Sequence, residues 1–313
     1  MVFCKTYPIS NIIKSAWNTD VFKSLQFERE NIESPYEVKT DINQSTIKKI
    51  KNFIKKYFNN TPILDIPEDK LYGEKDIILY IEKDTNIIGC VRYHYIGKFF
   101  DNDIYCIDCY CVHPLWRKRG VGDSLLIKLQ IHTNKIPYSI ALKEGRKINI
   151  ISDSYYSSIY VYREINREIN RKNKQSNQIQ PLSIDKAYKL MDIFSEFNPI
   201  FIIRNRDNTN QHWKLYKNGI HKILACIQDT YQYKNGKKMG WITAWIESPN
   251  ITDEMREEAS IQISESMDIF DYIWTNQKWT GQTAQWIIDG PFHWYLFQWT
   301  TSVSIKRSYC ILN

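Results

Sequence analysis

The apolar positions of this chain change period several times, and each change marks an element. From residues 45 to 58, Ile47, Ile50, Phe53, Ile54 and Phe58 recur at helical spacing behind a Ser45 cap, which predicts a helix with one buried face. Residues 76–83 and 86–95 are β-branched and aromatic runs separated by Asp84-Thr85, a hairpin signal. Residues 104–112 predict a third strand, which stops at Pro114. A basic, glycine-bearing turn follows, and Val121, Leu125, Leu126 and Leu129 then form the apolar stripe of a helix that packs on a sheet. Residues 136–142 read as a further strand. The tyrosine-dense residues 156–163 read either as a half-buried aromatic turn or as a wall near the mouth of a site. Ahead of all this, residues 12–25 read as helical.

The stretch EINREINRKNKQSNQIQ, residues 164–180, is polar with no apolar face and predicts a linker. After Pro181 the helical period returns at Ile184, Ala187, Leu190, Met191 and Phe194. Residues 224–233 and 239–247 read as strands joined by a loop over 234–238. Residues 252–266 predict a helix, and residues 268–275 and 293–300 predict strands. The second half thus repeats the helix, hairpin, helix, strand order of the first without its glycine turn. The expectation is an α/β (α+β) protein of two tandem domains, each a mixed, mostly antiparallel sheet flanked by helices. The divisions are residues 1–165, a linker at 166–182, and residues 183–313.

Composition narrows this picture. Hydrophobic residues make up 43% of the 313 residues and aromatic ones 14%, which fits aromatic-rich cores and excludes extensive disorder. The +7 charge comes from 42 basic against 35 acidic side chains, a mild excess with no basic stripe, so no nucleic-acid partner is expected. It suits an anionic co-substrate. Seven cysteines, an odd number with four in one predicted strand pair, argue against a disulfide framework and for a reducing, cytoplasmic setting. No run of about 18 apolar residues predicts a transmembrane segment. A monomer is expected.

Candidate chemistry concentrates in residues 109–131. Strand, then Arg117-Lys118-Arg119-Gly120-Val121-Gly122, then helix is the arrangement in which free N–H groups at a helix start, the helix dipole and glycine backbone receive a phosphate. A solvated basic turn is the plain alternative. Cys106, Cys109, Cys111 and His113 do not make a zinc site, because alternate positions of one strand cannot surround a metal and no second cysteine pair completes the set. No metal is expected. A Cys109–His113 nucleophile pair ranks lower still, since buried strand cysteines are inert.

The pattern Val112-x-Pro114 followed by Arg117-x-x-Gly120-x-Gly122 resembles the acyl-CoA pyrophosphate loop of the GCN5-related N-acetyltransferase (GNAT) superfamily. Within it, the doubled order with a single loop resembles the N-myristoyltransferases. Cys111-Val112-His113 with the basic loop, Tyr160-Val161-Tyr162-Arg163, Gln211-His212-Trp213 and the near-terminal Gly290-Pro291-Phe292-His293-Trp294-Tyr295-Leu296-Phe297-Gln298-Trp299 are similar to that family's segments in order and rough spacing. The chain departs from the family in its shorter length, its glycine-containing loop, and Ser139-Ile140-Ala141 where the family has Thr-Ala-Gly.

The resemblance implies an acyltransferase that moves an acyl group, myristoyl foremost, from acyl-CoA to the N-terminal glycine amine of a protein or peptide. Acetyl-CoA with a lysine, N-terminus or small amine is the alternative, and a catalytically silent acyl-CoA-binding or protein-binding module the second. It assigns the thioester-oxygen donors to the backbone N–H groups of Cys109 and Tyr110. It assigns proton acceptance to the α-carboxylate of Asn313, and CoA binding to Cys111, Val112, His113, Arg117, Lys118, Arg119, Gly120, Val121 and Gly122. Ser139, Tyr160 and Tyr162 fall in its acyl or substrate region.

Overall fold

The structure is a computed structural model. It describes residues 34–58, 62–133, 136, 138–146, 155–166, 178–197, 200–281, 285–297, 299–301 and 303–312, and the backbone of Lys23–Ser24, strand β1. Helix α1 (Gln44–Tyr57) starts two residues earlier than the expected Ser45 cap implies. Asn43, not Ser45, is the cap, and its Oδ1 accepts the Thr46 N–H at 2.9 Å. A two-residue strand β2 (Ile63–Leu64) and a short helix α2 (Glu68–Leu71) lead into strands β3 (Ile77–Lys83), β4 (Asn86–Phe99) and β5 (Asn102–Val112). Asp84 and Thr85, at φ 49° and 66°, form the tight turn between β3 and β4 that the strand twist favours.

Helix α3 (Val121–His132) lies on one face of these strands, packing Val121, Leu125 and Leu129 on Leu79, Ile81, Val91 and Tyr93. On the opposite face α1 covers Cys90, Cys109 and Cys111 with Ile47, Ile50, Phe53 and Ile54. Gly89 lets α3 approach: a Cβ there would stand 2.7 Å from Val121 Cγ1.

The chain continues through β6 (Ser139–Glu144), β7 (Tyr156–Glu164), β8 (Ile179–Leu182), α4 (Ile184–Phe197), β9 (Phe201–Ile202), β10 (His212–Asn218), β11 (His221–Lys234), β12 (Lys237–Glu247), α5 (Asp253–Glu265), β13 (Tyr272–Asn276), β14 (Ile287–Phe297), β15 (Trp299–Thr300) and β16 (Tyr309–Cys310). Along the main sheet the order is β3-β4-β5-β6-β14-β7-β13-β12-β11-β10-β8. From β3 to β10 it reads alike from both ends. In each half three antiparallel strands lead through a helix to a parallel fourth, β5 to β6 by α3 and β12 to β13 by α5. The central pair is exchanged: β14, from the second half of the sequence, lies on β6, and β7, from the first, lies on β13. The result is a mixed, mostly antiparallel open sheet with helices on its faces, as the apolar pattern predicts.

Several local expectations change. Residues 156–164 are a strand at the sheet's centre, not an aromatic turn, because β13 and β14 take both of its edges. Four residues of the stretch read as linker, Ile179–Leu182, pair with β10 at the sheet's edge, where Pro181 is tolerated; residues 167–177 lie outside the described residues. The second hairpin turns on Asn235-Gly236 alone, both at positive φ, so its loop is shorter than the one over 234–238 expected from sequence. Lys23–Ser24, at the end of the stretch read as helical, form β1 against Trp299–Thr300, and residues 12–22 lie outside the described residues. Among the described residues, no helix is long and apolar enough to cross a membrane.

Candidate active site

The site begins where two parallel strands part. β5 and β6 pair at only three positions, Tyr105 with Ser139, Cys106 with Ile140 and Ile107 with Ala141. Beyond these, β5 stays on β4 up to Val112, while Leu142–Glu144 stay paired with Trp294, His293 and Phe292 of β14 on their other edge. A gap opens between residues 108–112 and 142–144.

A bulge stands at that opening. Cys90 pairs with Cys111 and Arg92 with Asp108, so Cys109 and Tyr110 together face Val91 alone. Cys109 sits at φ 48°, costly for a side chain that is not glycine, and the bulge leaves its extra residue outside the ladder. The surroundings hold this strain in place. Arg92, 5% exposed, binds Asp108 through Nε at 2.7 Å and Nη2 at 2.5 Å, and donates from Nη1 to the carbonyls of Lys70 and Leu71. The bulge also reverses alternation, so Cys109 and Cys111 face α1 while Tyr110 and Val112 face α3.

After β5 a short 3-10 turn, Pro114–Trp116, is capped by His113, whose Nδ1 accepts the Leu115 N–H at 3.2 Å and whose ring lies on Tyr57. The basic loop then wraps Trp116. Lys83 and Arg119 lie over its ring at 4.6 and 5.5 Å, and Arg117 Nε donates to Val112 O at 3.1 Å. Lys118 (φ 61°) and Gly120 (φ 82°) are both left-handed, and this turns the chain sharply into α3. Gly120 provides no side-chain cap, so the N–H groups of Val121, Gly122 and Asp123 have no intrahelical acceptor and point out of the helix start. At Gly122 a Cβ would collide with the Tyr110 hydroxyl. This is a concave turn of N–H groups, positive dipole and cations at the open end of the gap.

The remaining sequence-selected residues stand elsewhere. Ser139 is buried at the closed end of the β5–β6 pair, its Oγ donating to Phe297 O at 3.5 Å and its carbonyl accepting from Trp299 Nε1 at 2.7 Å. Tyr160 is buried in the central aromatic core, its hydroxyl 3.2 Å from that of Tyr309 and 3.4 Å from Trp294 Nε1. Tyr162 is half-buried under Lys234, whose Nζ is 3.8 Å from its ring centre. Asn313 lies outside the described residues. Burial pushes the thiols of Cys90, Cys109 and Cys111 up, that of Cys111 to about 12, against nucleophilic use. Sequence reasoning missed Trp116 and the Arg92–Asp108 pair. The tryptophan between Pro114 and three cations was the one available signal; the pairing across β4 and β5 had none.

The second half contains a matching gap that is closed. β12 and β13 pair only from Met239 to Trp241, and Thr243 bulges opposite the Cys226–Ile227 step. Into this gap runs β16, pairing Tyr309 with Trp245 and Cys310 with Ala244, while Ile311 N–H donates to the Thr243 carbonyl at 3.1 Å. β9 covers its far side. Ile311 and Leu312 are buried, at 1% and 0% exposed, so the chain enters the interior up to its last described residue. Tyr309 is tied down by Tyr160 and by Asn276 Nδ2 at 3.1 Å.

Residues 47–136, which contain the bulge and the basic loop, match the Acetyltransferase (GNAT) family. The whole chain has the fold of N-myristoyltransferase from Saccharomyces cerevisiae. A crystal structure of that protein with bound myristoyl-CoA and inhibitors superposes with a TM-score of 0.56 at 10% identity, over 96% of this chain and 94% of that one. A second, with bound myristoyl-CoA, gives a TM-score of 0.57 at 10% identity over 91% and 86%. No curated protein sequence matches the chain.

Proposed function

We propose that the protein is an N-acyltransferase that moves an acyl group, myristoyl foremost, from acyl-CoA to the N-terminal glycine amine of a protein or peptide. The observation that carries this is the opening of β5 from β6 at Ile107–Ala141, with the Cys109–Tyr110 bulge at its edge and the basic, glycine-capped helix start at its end. The fit to acyl-CoA rests on chemistry present in the chain. Arg117, Lys118, Arg119 and the N–H groups from Gly120 to Gly122 hold a pyrophosphate, and the gap accepts the extended thioester arm beside Cys111 and Val112.

The amine nitrogen attacks the thioester carbon. The C–N bond forms, the C–S bond breaks, and the CoA thiolate leaves, taking up the proton that the nitrogen loses as it becomes the amide. The N–H groups of Cys109 and Tyr110 hold the oxygen as it gains charge, each contributing about 3 kcal/mol to the transition state. Ahead of attack the α-carboxylate of Asn313 takes a proton from the ammonium. The closure of the second gap by β16 supports a single CoA site in the first half, and the buried course of residues 309–312 carries the chain into the interior as far as Leu312.

Acetyl transfer is the second reading, favoured by the glycine-containing loop and the match over residues 47–136. The deciding experiment supplies the purified protein with acetyl-CoA and myristoyl-CoA in parallel, with a glycine-starting peptide, and reads products by mass spectrometry. Myristoylated peptide is expected. Acetylated peptide alone overturns the myristoyl reading, and no product with either donor overturns the enzyme.

A further inference from the structure

A groove of about 510 Å³ lies beside the end of β6, floored by Ser157, Ile159, Pro291 and His293 of β7 and β14. Its volume falls within the range of small-ligand sites. The floor is rigid. His293 Nε2 lies 2.9 Å from the Gly145 carbonyl, which can only accept, so this nitrogen carries a hydrogen; Nδ1 lies 2.7 Å from Ser157 Oγ. Across the groove stand Lys278 and Arg307.

Lys278 and Arg307 are the two cations of the lining. Neither forms an ion pair among the described residues. The acid in the lining, Asp253, is taken by Arg256 Nη1 at 2.6 Å. Lys278 Nζ lies 4.8 Å from the Tyr156 ring centre, which holds its stem at the groove wall. Ile159 is 36% exposed in the floor, and along β14 beyond Pro291 stand Ile288 and Ile287, 67% and 54% exposed. An apolar track therefore leads out of a groove that carries net positive charge. This suits an extended chain with mixed apolar and acidic side chains better than a small free anion.

The position fits the acceptor. β14 is the next strand from β6, and strands stand about 4.8 Å apart, so the groove floor lies roughly 7–12 Å across the sheet from the β5–β6 gap, or about two to four extended residues. We infer that this groove binds an acidic segment of the acceptor polypeptide, with Asp or Glu side chains about two to four residues beyond the acylated amine meeting Lys278 and Arg307. This rests on the N-acyltransferase reading for the word acceptor, but the binding itself can be measured without turnover.

The experiment uses the full chain and fluorescein-labelled glycine-starting peptides that differ only in carrying Glu, Ala or Lys at the third to fifth positions. Fluorescence anisotropy should show the Glu peptide binding about tenfold tighter than the Ala peptide, with the difference shrinking in high salt. Lys278→Glu with Arg307→Glu should abolish that preference and favour the Lys peptide, with melting temperature and acyl-CoA binding by calorimetry unchanged. Equal binding of the three peptides, or a preference untouched by the charge reversal, overturns the inference. Acyl transfer without an acid preference sinks the groove alone; an acid preference without any acyl transfer keeps the groove and sinks the enzyme.

Discussion

The Tyr110 hydroxyl occupies the space into which any side chain on Gly122 would grow. The bulged strand and the start of α3 are thereby locked together, and packing alone sets Gly122. Gly122→Ala is expected to destabilise the protein by about 1–3 kcal/mol, although alanine is the better helix former. Tyr110→Phe in the same chain removes the colliding oxygen and should return part of that loss. Urea denaturation of the two single variants and the double variant measures the coupling; additive losses would show that the two residues do not meet.

The Arg92–Asp108 pair fixes the strand next to the bulge from inside the protein. Arg92→Ala leaves Asp108 without its two-pronged partner and should cost about 3–5 kcal/mol. Acyl transfer should fall further than stability predicts under conditions where the variant is fully folded, because Cys109 would lose the neighbour that holds its φ of 48°. Denaturant melts alongside kcat at saturating donor separate the two effects.

In the proposed function the cations of the loop hold the donor. Arg117→Ala, Lys118→Ala and Arg119→Ala should each weaken acyl-CoA binding about 3–10-fold, less at high salt, with the melting temperature nearly unchanged. Titration calorimetry at low and high ionic strength reads this directly. An affinity independent of salt would remove the loop from the donor site.

Asp76 provides a pH test of the first half. Burial works against its ionisation, but His94 at 2.9 Å, the charge of Arg92 and the N–H groups of Gly73 and Tyr95 outweigh it, so its carboxyl sits below the ordinary 3.8. A carboxyl depressed in the folded state adds stability that is present above its unfolded value and is lost as pH falls through the folded one. Asp76→Asn should therefore destabilise the protein at pH 7, and the difference from the parent chain should narrow below about pH 4. Denaturant melts from pH 7 to pH 3 check the sign.

The thiols give a simpler check. Cys90, Cys106, Cys109, Cys111, Cys226 and Cys310 are buried and free. Burial raises every one of these thiols above its ordinary value. Iodoacetamide at pH 8 should leave these six unlabelled in the folded protein and label them in urea, read by peptide mass spectrometry. Rapid native labelling of Cys109 would revive a cysteine nucleophile.

Elements held by neighbouring residues were legible in the sequence. The α1 stripe, the Asp84-Thr85 turn, and the passage from strand through basic glycine loop to helix depend on 3.6- and 2-residue periods and on backbone preferences that act within a few positions. What the sequence could not display depends on contacts far along the chain. Ser139 meets Phe297 and Trp299, and Tyr160 meets Tyr309. For that reason residues 156–163, which read either as an aromatic turn or as a wall near a site, are a central strand, and the burial of Ser139 and Tyr160 could not be seen.

The sequence alone thus determined the kinds of element, their order in two similar halves, and the one loop fit to receive a phosphate. Tertiary structure decided which strands exchange across the centre, that β5 and β6 part at a bulge, and that β16 closes the second gap while the first stays open. The physical reason is that backbone hydrogen bonds between strands carry no local signature: partner and register are chosen by the burial of whole faces, which exists only once the sheet has formed.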